Sequence, residues 1–249
     1  MQHLFQQRTS GGMAHVAHTT RADGDLSPAV VDVRLLIERR RSLVDHPWFS
    51  CRQVHSDRVV TIGAADRPDY DESDDARAHD EPQADAGLGR RAIADALVTA
   101  RAAVALAVHA GDCVPVGFVH SCGAVAVAHA GWRGLVAGVL ESTVRSLRSY
   151  GEHTIAAAVG PHIRAQNYEF GDAELGELSQ RLGPRVRSAT AQGTPALDLT
   201  AAVESELSRL GVGIAASSGD CTAVESDRYW SHRARNESGR IALIAWIAP

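Results

Sequence analysis

Between residues 93 and 129 the chain carries four short apolar runs, at 93–99, 103–108, 114–119 and 124–129, broken only by brief punctuation such as Gly111-Asp112 and Ser121-Cys122-Gly123. Runs of this length, rich in Val and Ala and bounded by turn residues, predict buried strands. Cys113 and His129 therefore fall at strand ends. Over residues 134–150 the apolar positions Leu135, Val136, Val139, Leu140, Val144 and Leu147 recur at helical spacing, and Gly151 supplies a stop. A strand at 155–159 ends at Gly160-Pro161, helices at 172–182 and 199–210 are closed by Gly183-Pro184 and Gly211, and strands follow at 215–222 and 241–246.

Upstream, residues 13–21 alternate as a first strand before a turn at Gly24 and Ser27-Pro28, and a helix is predicted in the second half of 30–43. Its Arg39-Arg40-Arg41 cluster reads as a solvated face. Residues 48–62 read as a strand pair, or a strand and turn, containing His55. Residues 63–89 differ in kind, with nine acidic side chains among Ala, Gly and Pro and almost nothing to bury. They predict a largely disordered surface loop, read as a tolerated insertion rather than a mobile lid. There is no internal repeat. Strands run in groups rather than in strict alternation with helices, so the expected fold is α+β, a single domain spanning 1–249 with mixed β-sheets layered between helices.

Composition narrows the function. A chain of 249 residues can bury a sizeable core, and no apolar run is long enough to span a membrane. The first residues lack the basic-then-apolar order of a secretory signal, so a cytoplasmic protein is expected. Cys51, Cys113, Cys122 and Cys221 are too dispersed for a disulfide framework and read as reduced thiols. A net charge of -5 argues against nucleic acid as a partner. All the basic side chains other than histidine are arginine, which we attribute to a GC-rich genome and to no mechanism. Nothing in the sequence fixes an oligomeric state, and a monomer is compatible with it.

Three segments hold the candidate chemistry. If His55, Cys113 and His129 converge, they make a three-ligand site for a transition metal with a fourth position open to water or substrate. On the residues alone the alternative stands, a cysteine filling a core and histidines satisfied by hydrogen bonds. Over residues 125–138 a buried strand ends at His129, turns through Gly131 and Gly134 and feeds a helix, a start suited to an anion, with Arg133 beside it. This is neither the Gly-x-Gly-x-x-Gly dinucleotide fingerprint nor a Walker A loop. Asp112 either orients a ligand or water, or caps a turn. His109 and His120 read as structural, although His109 could approach the site. The candidate catalytic groups are thus Arg133, Asp112 and Cys113, and the candidate substrate contacts are Gln53, Gly131 and Gly134.

The order Gln-Val-His, Ala-Asp-Ala-Leu-Val-Thr, Asp-Cys-Val-Pro-Val, Ala-His-Ala-Gly-Trp-Arg-Gly, Val-Gly-Pro-His-Ile, Tyr-Glu-Phe, Asp-Cys-Thr and Ser-Gly-Arg-Ile-Ala spans nearly the whole chain. It resembles the YfiH-like laccase-domain family, described as purine nucleoside phosphorylases and formerly as multicopper polyphenol oxidases. The resemblance implies a layered α/β/β/α fold and zinc on His55, Cys113 and His129. It also implies phosphorolysis of adenosine, inosine, guanosine and methylthioadenosine, with deamination of adenosine, so purine nucleosides and phosphate are the expected partners.

The chain departs from that family where Asp23-Gly24-Asp25-Leu26-Ser27 replaces Gly-Gly-Val-Ser, where Ser231-His232-Arg233-Ala234 replaces Ser-Tyr-Arg-Arg, and where Arg164 replaces the glycine after Gly-Pro-x-Ile. Copper fits less well than zinc. A trinuclear cluster needs His-x-His pairs, which are absent, and a blue-copper centre needs an axial methionine when only Met1 and Met13 exist. The His-x-Glu and Pro-Cys-x-x-Cys motifs of nucleoside deaminases are also absent. Competing readings are a hydrolase or deamidase with Cys113 as nucleophile and His129 as base, a peptidoglycan-precursor editing factor, and a non-catalytic metal- or partner-binding module.

Overall fold

A computed structural model of the chain describes residues 1–28, 31–69 and 91–249. Its longest apolar strands are buried on both faces, which demands cover on both sides. That cover comes from stacking two sheets against each other and packing helices outside. One sheet has the order β1 (Gln2–Thr9), β2 (Gly12–His18), β13 (Ile241–Ala248), β6 (Ala105–Ala110), β3 (Trp48–Ser50). The other runs β12 (Gly213–Ser217), β9 (Ile155–Val159), β7 (Val114–His120), β8 (Ala124–Ala130), β5 (Ala96–Thr99), β4 (Val59–Thr61). Both are mixed, since β3 pairs with β6, β4 with β5 and β12 with β9 in parallel while the other pairs are antiparallel.

Alternation along the strands separates the layers. Val16, Leu106, Val108 and Leu243 from the first sheet meet Leu97, Val119, Val125 and Val127 from the second. Gly117 on β7 allows this approach, because a Cβ there would lie 2.4 Å from Val16 Cγ1. The opposite faces carry Ala105, Ala107 and Ile244 against Leu36 of α1 (Val33–Leu43), and Val98, Val116 and Phe118 against the remaining large helices. Those helices are α2 (Trp132–Ala137), α3 (Val139–Arg148), α4 (Asp172–Leu182) and α5 (Leu199–Arg209). The expected α+β layering of helix, sheet, sheet and helix is thus present.

Several local expectations change. The helix expected over 134–150 is two helices, broken at Gly138, whose φ of 95° ends α2 and begins α3. The apolar period runs on across this break, so only the glycine signalled it. The polar segment before residue 13 is β1, an edge strand that among the described residues pairs with β2 alone. Residues 48–62 supply two strands that do not pair with each other but join different sheets. The strand expected at 215–222 stops at Ser217. Between α4 and α5 lies a short antiparallel ribbon, β10 (Arg187–Ala189) and β11 (Pro195–Leu197), and α6 (His232–Arg235) precedes β13.

Of the acidic segment 63–89, residues 70–89 lie outside the described residues. Asp69 is not a solvated loop residue: it is 4% exposed and accepts from Ser50 N at 2.9 Å and from Arg40 Nη1 at 2.9 Å. Arg40 is correspondingly buried rather than part of a solvated face. Among the described residues no helix is long and apolar enough to cross a membrane.

Candidate metal centre

The centre forms at one end of the sandwich, where the chain passes from one sheet to the other. His55 lies on the crossing from β3 to β4, and Cys113 ends the turn from β6 to β7, whose middle residue, Asp112, adopts φ 96°. His129 is the penultimate residue of β8, and the register opposing Val114 to Ala130 brings it beside Cys113. One ligand atom from each of His55, Cys113 and His129 lies within 4.8 Å of the others, and Cys113 Sγ is 3.7 Å from His55 Nε2. Tetrahedral zinc with bonds of about 2.0–2.3 Å places its sulfur and nitrogen ligands roughly 3.5 Å apart, so this donor set fits such an ion.

Asp95, just before β5 and fully buried, organises the group. Its Oδ1 accepts from His55 N at 2.9 Å and lies 3.0 Å from His129 Nδ1. Its Oδ2 accepts from Val54 N at 3.1 Å, from Ser56 N at 2.6 Å and from Ser56 Oγ at 2.8 Å. One carboxylate thus holds the backbone of the His55 loop, where His55 itself sits at φ 62°, and claims Nδ1 of His129, leaving Nε2 for the centre. Burial opposes its ionisation, but the hydrogen bonds from His129 and Ser56 keep Asp95 well below the usual carboxylate range.

The same arrangement charges the ligands. Burial disfavours the Cys113 thiolate, yet His129 and His55 hold its pKa down to about 6. Burial likewise disfavours the His129 cation, which Cys113 and Asp95 hold up to about 9. Cys113, His129 and Asp95 therefore form a connected thiolate, imidazolium and carboxylate row.

The other expected site residues take distinct places. Gly131 lies against the ligands, where a Cβ would sit 2.7 Å from both Cys113 Sγ and His55 Cδ2. Gly134 packs under the strand end, its Cβ position 3.3 Å from His129 O. Arg133 is exposed at the start of α2 with its guanidinium 4.2 Å from the Trp132 ring centroid. Gln53 is a clamp between segments: its amide donates to His109 O at 2.7 Å and accepts from His109 N at 2.8 Å. Asp112 is outside the ligand group, its carboxylate accepting from Thr222 Oγ1 at 2.7 Å and Arg233 N at 2.6 Å. His109 stays outside the ligand group, and burial, then Arg40 and Arg91, hold it well below the usual imidazole value. His120 is held at the far end of β7, with Nδ1 2.8 Å from Cys122 Sγ. All four cysteines are free.

Two residues that the sequence reading passed over belong here. Asp95 is one, and its signal was an acidic residue inside the apolar run 93–99, where a buried charge must find partners. The other is Tyr168, whose hydroxyl is pushed up to about 12 by burial and by Cys113, against the opposing influence of Arg233 and Arg133. Arg164, in place of a glycine, needs no special backbone, with φ -91°. It donates to Thr200 Oγ1 at 2.7 Å, and the buried His162 lies 2.9 Å from the same hydroxyl.

A family model described as multi-copper polyphenol oxidoreductase laccase matches residues 2–248. A purine nucleoside phosphorylase of Streptomyces coelicolor is 39% identical over 168 residues, covering 66% of this chain and 69% of its own. Another from Xylella fastidiosa is 38% identical over 238 residues, covering 90% and 84%. The crystal structure of YlmD from Geobacillus stearothermophilus superposes with a TM-score of 0.76 at 26% identity, over 99% of this chain and 100% of that one.

Proposed function

We propose that this chain, which belongs to the multi-copper polyphenol oxidoreductase laccase family, is a zinc-dependent purine nucleoside phosphorylase acting on adenosine, inosine, guanosine and methylthioadenosine, with adenosine deaminase activity. Its relatives are named purine nucleoside phosphorylases. The observation that carries the reading is the convergence of His55, Cys113 and His129, with His129 oriented by Asp95. Two nitrogens and a thiolate suit zinc, and a copper centre would lack its axial sulfur, because Met13 lies on β2 and Met1 packs against the helix-covered outer face of the same sheet. Zinc, when bound, supplies Lewis-acid charge at an open fourth position.

The chain's own groups supply the rest. Phosphorolysis needs an oxyanion held near the sugar C1, and Arg133 offers an exposed, fixed cation next to the centre. The anion contacts expected from the amides after Gly131 come from a helix of only six residues, so Arg133 is the principal anchor. Gly131, without a Cβ, lets the start of α2 pack directly against Cys113 and His55. Gln53, Gly134 and Asp112 act by holding the surrounding segments rather than by touching substrate.

The test is incubation of zinc-loaded protein with adenosine, inosine and methylthioadenosine, with and without phosphate, followed by product separation. Base release that requires phosphate is expected, together with conversion of adenosine to inosine. Absence of phosphate-dependent base release removes the phosphorylase assignment.

A second reading has its own support in the Cys113, His129 and Asp95 row, which has the order of nucleophile, base and orienting acid found in thiol hydrolases. The two readings diverge on metal. Stoichiometric zinc that shields Cys113 from alkylation favours the phosphorylase, whereas a zinc-free preparation whose activity is abolished by alkylation favours the hydrolase.

A further inference from the structure

Two arginines stand at the ends of one aromatic row beside the metal centre. Arg133 lies 4.2 Å from the ring centroid of Trp132, and Trp132 meets Phe170 edge-on at 5.8 Å. Phe170 meets Tyr168 at 5.5 Å, and Arg233 lies 4.6 Å over the Tyr168 ring. Both ends are anchored at the turn that presents Cys113: Gly131, two residues before Arg133, lies against Cys113, with its Cβ position 2.7 Å from the sulfur, and Arg233 N sits on Asp112. Both guanidiniums are exposed, and neither forms an ion pair among the described residues. Arg233 spends a single donor, Nη1, on Glu169 O at 2.8 Å, and its backbone N–H is fixed on Asp112 at 2.6 Å. The turn that presents Cys113 therefore also sets the position of Arg233. The Tyr168 hydroxyl has no hydrogen-bond partner among the described residues and remains a donor toward the same region.

We propose that Arg233 is a phosphate-binding residue that, mounted on Tyr168, shares one oxyanion with Arg133 beside the metal centre. The proposal rests on the phosphorylase reading for its ligand, and it extends the site to a residue from the far end of the chain. A doubly charged oxyanion is better matched by two guanidinium forks than by one, since each fork presents parallel donors to the oxygens. Tyr168 serves as the platform, and stacking on its face restricts the long Arg233 side chain before the ligand arrives.

The test measures phosphate binding directly, by equilibrium dialysis of radiolabelled inorganic phosphate against the zinc-loaded full chain, alongside steady-state kinetics with inosine. Arg233→Ala keeps the backbone contact to Asp112 and is expected to fold with an unchanged melting temperature. It should weaken phosphate binding about tenfold or more, the effect of a lost charge-assisted contact, and raise the KM for phosphate in parallel with the KM for inosine unchanged. Arg233→Lys should recover part of the loss, and Arg145→Ala, on the exposed face of α3, should have no effect.

Phosphate affinity of Arg233→Ala equal to wild type overturns the proposal. The outcomes separate it from the phosphorylase assignment. Base release that persists in Arg233→Ala with an unchanged phosphate KM removes the second arm alone. Phosphate binding that depends on Arg233, in a protein that releases no base, keeps the arm and removes the phosphorylase.

Discussion

Replacing Asp95 by Asn tests whether one carboxylate both folds and tunes the centre. The carboxylate takes part in five hydrogen bonds, with Val54 N, His55 N, Ser56 N, Ser56 Oγ and His129 Nδ1. An amide keeps one oxygen and turns two N–H donors toward groups that are themselves donors, so at least two of these bonds are lost in a fully buried place. With charged hydrogen bonds contributing about 1.5–3 kcal/mol each, the expected destabilisation is about 3–5 kcal/mol. That corresponds to a fall in melting temperature on the order of 10 °C for a chain of this size. Because His129 also loses its orienting partner, zinc affinity should fall about 10- to 100-fold, read by competition with a chromophoric chelator. Ser56→Ala removes one of these five contacts, together with the long bond from Arg58 N at 3.3 Å, and should cost about 1 kcal/mol while sparing zinc. Because the Asp95 carboxyl is held below its ordinary 3.8, its contribution is fully present above that pH and is lost as the pH falls further. Zinc affinity within twofold of wild type in Asp95→Asn would refute the orienting role.

In zinc-free protein, thiolate absorbance from Cys113 should appear near pH 6, well below the ordinary 9.0, and should move upward in His129→Gln. The linked effects on stability oppose each other: Cys113, depressed, adds stability as pH rises from about 6 toward 9.0, while His129, raised from 6.5, loses it as pH rises toward about 9. Urea midpoints of the zinc-free protein should therefore change little between these limits, and a steep slope would contradict the pairing. Gly131→Ala forces a methyl to 2.7 Å from Cys113 Sγ and should cost about 1–3 kcal/mol with a clear loss of zinc affinity, measured in the same two assays. Gly138→Ala meets no neighbour within 4 Å and bears only the strain of φ 95°, so it should lower stability by roughly 1–2 kcal/mol and leave zinc binding unchanged.

Cys113 and His129 were legible as candidate ligands at strand ends, and His55, on a connection, joined them through the ordered motifs that resemble the family, the residues alone leaving a core-filling alternative open. Asp95 was not, because its partners are the backbone of a distant loop and a histidine on the neighbouring strand, and no local spacing encodes either. For Gln53 and Asp112, read as a candidate substrate contact and as either an orienting group or a turn cap, the structure adds polar contacts that join distant segments, which no local spacing encodes. The four buried central strands followed from continuous apolar runs, whereas β1 was hidden by its polar edge position and the break at Gly138 by an unbroken apolar period.

The placement of the centre on connections between the two sheets also fixes when a metal can be taken up. His55 and Cys113 are 58 residues apart, and their donors meet only after β3, β6 and β7 have joined their respective sheets. In small zinc modules the ion drives folding of an otherwise unstructured chain. With donors that converge only in the assembled sheets, the expected order for the proposed zinc is reversed: assembly first and uptake afterwards. If the proposed zinc assignment holds, a cell short of zinc would then accumulate folded, empty protein, a store of activity that rises with supply and without new synthesis.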